Sequence, residues 1–184
     1  ARYALEGSVH AAGAALQWLA AASGVARTAL PIDEALSPDT EPALFVNTAD
    51  GLGSPWWRRG DRREFLPAGG SLPQRLAAVV ENMVFLLRVN LEQLEELRGP
   101  ARRIVVAGGL SRNAALCQRL ADGLQRRIHR LDGGEATIVG MWRRVSGSNA
   151  PGPGYLTLEP DPAPALERRY SQWRRQMPPV PPGQ

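Results

Sequence analysis

Between residues 72 and 97 the apolar positions Leu76, Val80, Met83, Leu87, Leu91 and Leu94 recur at steps of three and four. That spacing predicts one long amphipathic helix, stopped by Gly99-Pro100. Four apolar residues then run into two glycines in IVVAGG, residues 104–109. This predicts a strand over 103–107, a glycine turn, and a helix from Ser111 to about Gln125 with Leu116, Leu120 and Leu124 inward. A short strand over 128–131 and a helix over 135–145 follow.

Upstream the same alternation is visible. Residues 2–7 suit a short strand, and Ser8 is placed to cap an alanine-rich helix that runs to about Ala22 and stops at Ser23-Gly24. Pro31 with Asp33 and Glu34 predicts a short helix over 31–36, with proline in the first turn and the acids at its positive end. ALFVNT, residues 43–48, reads as a buried strand that empties into the turn DGLGSPWW, residues 50–57. Residues 58–71 alternate arginine, glycine and acid, which predicts a surface loop with one edge strand around 64–66.

Strands alternating with helices give an α/β domain with a largely parallel core sheet. About four strands for this many helices is thin, so the sheet is expected to lack partners. Past residue 146 the chain loosens. Residues 146–154 read as a linker, 155–177 as an extension with one helix carrying Tyr170 and Trp173, and 178–184 as a disordered proline-rich tail.

Composition removes several classes of chemistry. The chain has 184 residues and a formal charge of +4, and its cations are all arginine, with no lysine. A Walker-type phosphate loop needs a lysine, as does Schiff-base chemistry, so neither exists here. His10 and His129 lie far apart around the single Cys117, and no metal-ligand spacing emerges. Cys117 falls on the apolar side of its helix and reads as packing. The arginines come as scattered pairs, which describe a solvated surface, whereas a nucleic-acid interface favours a stripe with aromatics among the bases. No apolar run reaches membrane-spanning length, so a cytoplasmic protein is expected.

Three features carry candidate chemistry. The Gly108-Gly109 turn ends a strand and feeds a helix, where side-chain-free backbone and helix amides can meet an anion or nucleotide; it also suits a plain tight connection. Gly13 sits within an alanine-rich helix at a cost of about 1 kcal/mol relative to alanine. With Gln17 four residues on, it could take the flat face and edge of a base, or it could permit close helix packing. Trp56 and Trp57 could cover a ligand or plug an edge of the core.

Together, RYALEGSVHAAGAALQWL, FVNTADGLGSPWW, VVAGGLSRNAALCQRLADGL and EATIVG follow one another as in the C-terminal half of FGGY carbohydrate kinases. PQRLAAVVENMVFLLRVNLE resembles that family's long helix, and the first segment looks most like glycerol kinases. The resemblance covers residues 2–145, so 1–145 is expected to be the nucleotide-binding domain. It implies a ribonuclease-H-like fold of the actin and hexokinase superfamily, a mixed sheet flanked by helices and lacking its first strands.

It also implies ATP with Mg2+ and a sugar or polyol bound between two domains, the Mg2+ held mainly by the nucleotide and by the other half. By motif position Gly13, Gln17 and Gly109 line the adenosine end. Ala114 stands where glycerol kinases place an adenine-contacting asparagine, and Asn113 next door is the candidate substitute. The chain departs further at Ala107, at RRGDRRE after Trp57, and at the bulky run Ile138, Val139, Gly140, Met141, Trp142. No catalytic base is identified: Asp33, Asp39, Asp50 and Asp61 do not match by motif, so the chain alone is expected to be inactive. The alternative is a degenerate regulatory or interaction module blind to nucleotide, and an unpaired strand edge leaves a homodimer open.

Overall fold

In chain order the elements are α1 (Ala12–Ala22), α2 (Ile32–Ala35), β1 (Leu44–Asn47), β2 (Arg63–Leu66), α3 (Leu72–Arg98), β3 (Ile104–Val106), α4 (Ala114–Leu124), β4 (Ile128–Leu131), α5 (Ala136–Ser146), β5 (Tyr155–Leu158) and α6 (Pro164–Gln176). Short 3-10 turns occupy Arg27–Ala29 and Gly109–Arg112. The structure, a computed structural model, describes residues 4–10, 12–37, 39–132, 136–147 and 154–181.

The long helix forms as patterned because its ends are set locally. Ser71 accepts from the Gln74 amide while the Gln74 side chain accepts from the Ser71 amide, and Pro73 sits in the first turn. At the other end Gly99 takes φ 79°. The burial differs from a one-sided stripe. Every residue from Leu76 to Leu86 is buried, including Glu81 and Asn82, whereas Leu87 is 37% exposed. α3 is therefore the central post of the domain, touched on all sides over three turns, and not a helix laid on a sheet by one face.

Two small sheets lean on it. β1 and β2 pair antiparallel, with Phe45 opposite Phe65. β3 and β4 pair parallel, and β5 adds antiparallel to β4, so that Ile104, Ile128 and Leu158 line up across three strands. These residues face the apolar cluster of Val46, Phe85, Cys117, Leu120 and Trp173. A second cluster joins Leu16 and Leu19 of α1, Ala35 of α2, and Leu76 and Val80 of α3 to Leu116 of α4.

Five expectations shift. The described part of segment 2–7 forms no strand, and α1 starts at Ala12 without Ser8 as its cap; the Ser8 carbonyl instead accepts from the Ser54 amide at 2.8 Å. Ser111 lies in the 3-10 turn, and Asn113 caps α4. Residues 155–177 contribute a strand as well as a helix. α6 buries Leu166, Tyr170 and Trp173 in the main core, Trp173 completely. Residues 178–181 are laid against the body: the Trp56 indole N–H donates to the Pro178 carbonyl at 3.0 Å and Val180 packs beside Trp56's cluster. Residues 148–153 of the linker and 182–184 of the tail lie outside the described residues.

Candidate functional site

α1 presents two faces. Ala15, Leu16, Leu19 and Ala20 are buried, while Gly13 and Gln17 share the exposed face one turn apart. A Cβ built on Gly13 meets no atom of the described residues within 4 Å. Close helix packing therefore does not account for this glycine, and its backbone does not demand one. Because α1 begins at Ala12, Gly13 lies in the first turn, among amides that have no partner inside the helix.

The second place is the turn after β3. Gly108 takes φ 103°, a conformation that a side chain resists, and Gly109 opens the 3-10 turn. Among the described residues a Cβ on Gly109 also meets nothing within 4 Å. The turn is braced from one side: Ser111 donates its hydroxyl to the Gly108 carbonyl at 2.7 Å, and the Cys117 thiol donates to the Ser111 carbonyl at 3.3 Å. Burial pushes the Cys117 thiol above its ordinary pKa, which keeps it protonated and able to donate. Ala107, Gly108 and Gly109 are left exposed on the other side.

The two places are tied to one core. Leu110 and Ala115, on either side of Asn113, pack against the same apolar cluster as Leu16 and Leu19 of α1. Asn113 is half-buried and used: its oxygen accepts from the Leu116 amide at 2.7 Å and its amide nitrogen donates to Asp33 of α2 at 3.1 Å. Ala114 is exposed beside it.

The tryptophan pair divides its roles. Trp56 is a plug, 5% exposed. Trp57 is 57% exposed at φ 46°, with the His10 ring edge-on at 5.9 Å. The preceding turn closes tightly, since a Cβ on Gly53 would fall 2.0 Å from the Ser8 carbonyl oxygen. RRGDRRE turns back on the body through Arg63, which pairs with Asp50 and lies 5.2 Å over the Trp18 ring. Of the bulky run on α5, Met141 and Trp142 are exposed at 64% and 55%; the side chains of Ile138 and Val139 lie outside the described residues.

Sequence reasoning missed Asp33 as a neighbour of the glycine turn, because helix propensity places it on α2 without saying what α2 touches. Among the described residues no group of three or more His, Cys, Asp or Glu side chains could hold a metal, and no helix is long and apolar enough to cross a membrane.

Comparison with known proteins gives this geometry a context. The model of the FGGY family of carbohydrate kinases, C-terminal domain, matches residues 1–144. A glycerol kinase of Thermococcus gammatolerans is 34% identical over 142 residues, covering 75% of this chain and 29% of its own length. One of Alkalilimnicola ehrlichii is 35% identical over 188 residues, covering 94% of this chain and 38% of its own. The chain thus spans little more than a third of these relatives at most. Among solved structures, Plasmodium falciparum glycerol kinase with ADP superposes at a TM-score of 0.70 and 17% identity, over 90% of this chain and 36% of that one. Gluconate kinase from Lactobacillus acidophilus gives 0.71 at 17% identity, over 89% and 37%. At that identity the structural likeness establishes the fold, a mixed α/β arrangement of strands and flanking helices.

Proposed function

Because the chain belongs to the FGGY family of carbohydrate kinases as a C-terminal domain close to glycerol kinases, we propose that it is the nucleotide-binding half of an ATP-dependent sugar or polyol kinase. The observation that carries this is the pair Gly13 and Gly109. They lie about a hundred residues apart in sequence, on elements that share one apolar cluster, and at neither does any described residue fill the space a side chain would take. A packing explanation would need a neighbour at those positions.

In this reading the notch at Gly13 takes the flat purine and the Gln17 amide reaches its edge. The bare backbone of Gly108-Gly109 approaches the nucleoside, with the amides of the 3-10 turn behind it. Asn113 stands at the same edge as a weaker contact. In this reading Mg2+ is held mainly by the nucleotide phosphates and by the other half of the enzyme. The transfer of the γ-phosphoryl group to a primary hydroxyl rests on positioning, charge neutralisation and a carboxylate that accepts the hydroxyl proton. Of the aspartates considered, Asp50 is engaged by Arg63 and Asn47, and Asp33 by Asn113. The base, phosphate loops and sugar pocket are assigned to the other domain, and the chain alone is expected to bind without turnover.

Calorimetric titration with ATP and ADP tests the reading. Saturable heat supports it; silence at millimolar nucleotide, with the other half of the enzyme supplied, rejects it. One observation favours a second reading, an interaction module indifferent to nucleotide: Met141, Trp142 and Val145 leave α5 with apolar surface in solvent, Val145 at 86% exposure. The same titration separates the two.

A further inference from the structure

The Asn113 amide is gripped by two partners that need opposite ends of it. The Leu116 N–H requires the oxygen, at 2.7 Å, and the Asp33 carboxylate requires the nitrogen, at 3.1 Å. A flipped amide would set oxygen against carboxylate and N–H against N–H, so its orientation is fixed by chemistry and not by assignment. The second N–H of the amide has no partner among the described residues, and Asn113 directly follows the 3-10 turn that Gly109 opens.

The residue that provides this grip is itself held in place. α2 is pinned to α4 at both ends: Asp33 meets Asn113 at the start, and the Leu36 carbonyl accepts from Arg119 Nη2 at 3.1 Å at the finish. Arg119 is in turn anchored at 3.2 Å on Glu81, which is 2% exposed. Ala35 and Leu36 are buried in the core cluster. The position of α2 therefore survives without Asp33, whose own bond to Asn113 is exposed. For stability alone Asp33 has little to do.

We propose that Asp33 is a positioning residue for the nucleotide site. It holds Asn113 so that an N–H donor, and not the amide oxygen, faces the bound nucleoside, where it meets an acceptor such as a purine ring nitrogen or a ribose oxygen. The inference rests on the nucleotide-binding reading and adds to it a residue that the family motif does not single out. It also assigns the sense of the contact: the exocyclic amine of adenine is not the group Asn113 recognises.

The test is a double-mutant cycle on the 184-residue chain, titrated with ADP. Asp33→Ala should weaken ADP binding roughly threefold to tenfold, the span of one lost hydrogen bond, with the melting temperature unchanged. Asp33→Asn keeps an acceptor and should restore binding. Asn113→Ser keeps a helix cap but has no amide, and in that background Asp33→Ala should cost nothing further. Wild-type binding with an unaltered Asp33→Ala variant overturns the role of Asp33 while leaving the nucleotide site standing. So does a loss of equal size in the Asn113→Ser background, which would show that Asp33 acts by another route. No ADP binding by the wild type, with the other half of the enzyme supplied, removes the site itself, and Asp33 with it.

Discussion

Arg169 of α6 reaches the Glu81 carboxylate of α3 with two bonds, Nε to Oε2 at 2.7 Å and Nη2 to Oε1 at 2.6 Å. Arg119 of α4 takes the same carboxylate from another side at 3.2 Å. Three helices that meet the chain almost ninety residues apart are joined at one buried acid. Such a carboxylate is costly to desolvate, and its attraction to two guanidiniums offsets that cost only while the geometry holds. Removing one partner is therefore worse than the pair is good.

Glu81→Ala strands two arginines and is expected to cost about 3–5 kcal/mol; Arg169→Ala, whose side chain is 16% exposed, should cost less, about 2–3 kcal/mol. Urea denaturation of each variant measures this. Losses below about 0.5 kcal/mol in both would mean that solvent reaches the acid and that α6 is held by its other contacts, Leu166, Tyr170 and Trp173 in the core and Glu167 on Arg88.

Two glycines within helices make opposite predictions. A Cβ on Gly123 of α4 would lie 2.3 Å from Val84 Cγ1, so Gly123→Ala forces α3 and α4 apart and should cost about 1–3 kcal/mol. A Cβ on Gly13 touches nothing, so Gly13→Ala should stabilise the chain by up to about 1 kcal/mol from helix propensity alone, and less for a first-turn position. Thermal unfolding of the two variants reads the signs. If Gly13→Ala is more stable and also loses ADP binding, the residue is kept for the ligand and against stability. A stabilised variant with unchanged binding removes the notch from the site.

These contrasts show where the sequence was informative. Helix α3 announced itself because its stripe is long and Gly99-Pro100 ends it, whereas its Ser71 cap shows only in the structure. The glycine turn was equally legible, since two adjacent glycines after an apolar run have few uses. What the sequence hid was contact between distant elements. TyrLeuThrLeu at 155–158 is too short to declare itself a strand, and becomes one only because β4 offers it an edge. α6 looks like an appended amphipathic helix until Trp173 is found fully buried, its N–H bonded to Asn82 at 3.0 Å. The proposed site divides the same way: Gly13, Gln17 and Gly109 are singled out by local oddity and by family motif, whereas Asp33 is visible only through its partner Asn113.

The connection from α3 to β3 carries a pH dependence. Glu95 Oε1 accepts from the Ala101 amide at 2.8 Å and from Arg126 Nη1 at 2.7 Å, and Arg126 Nη2 donates to the Ala101 carbonyl at 2.6 Å. The Ala101 N–H first, and Arg126 second, hold the Glu95 carboxyl below its ordinary value near 4.5. A depressed folded pKa means that the ionised form is favoured by folding, so the stabilisation is present above the unfolded value and is lost as pH falls through the folded one. Glu95→Gln should cost on the order of 1 kcal/mol at neutral pH. Because the pair is partly exposed, added salt should shrink that difference. Between pH 7 and pH 5 the wild-type and variant urea midpoints should stay a constant distance apart, and below about pH 4.5 they should converge. Midpoints that remain parallel down to pH 3 would show that the Glu95 carboxylate does not fasten this turn, leaving Gly99 and the Arg126–Ala101 bond to close it.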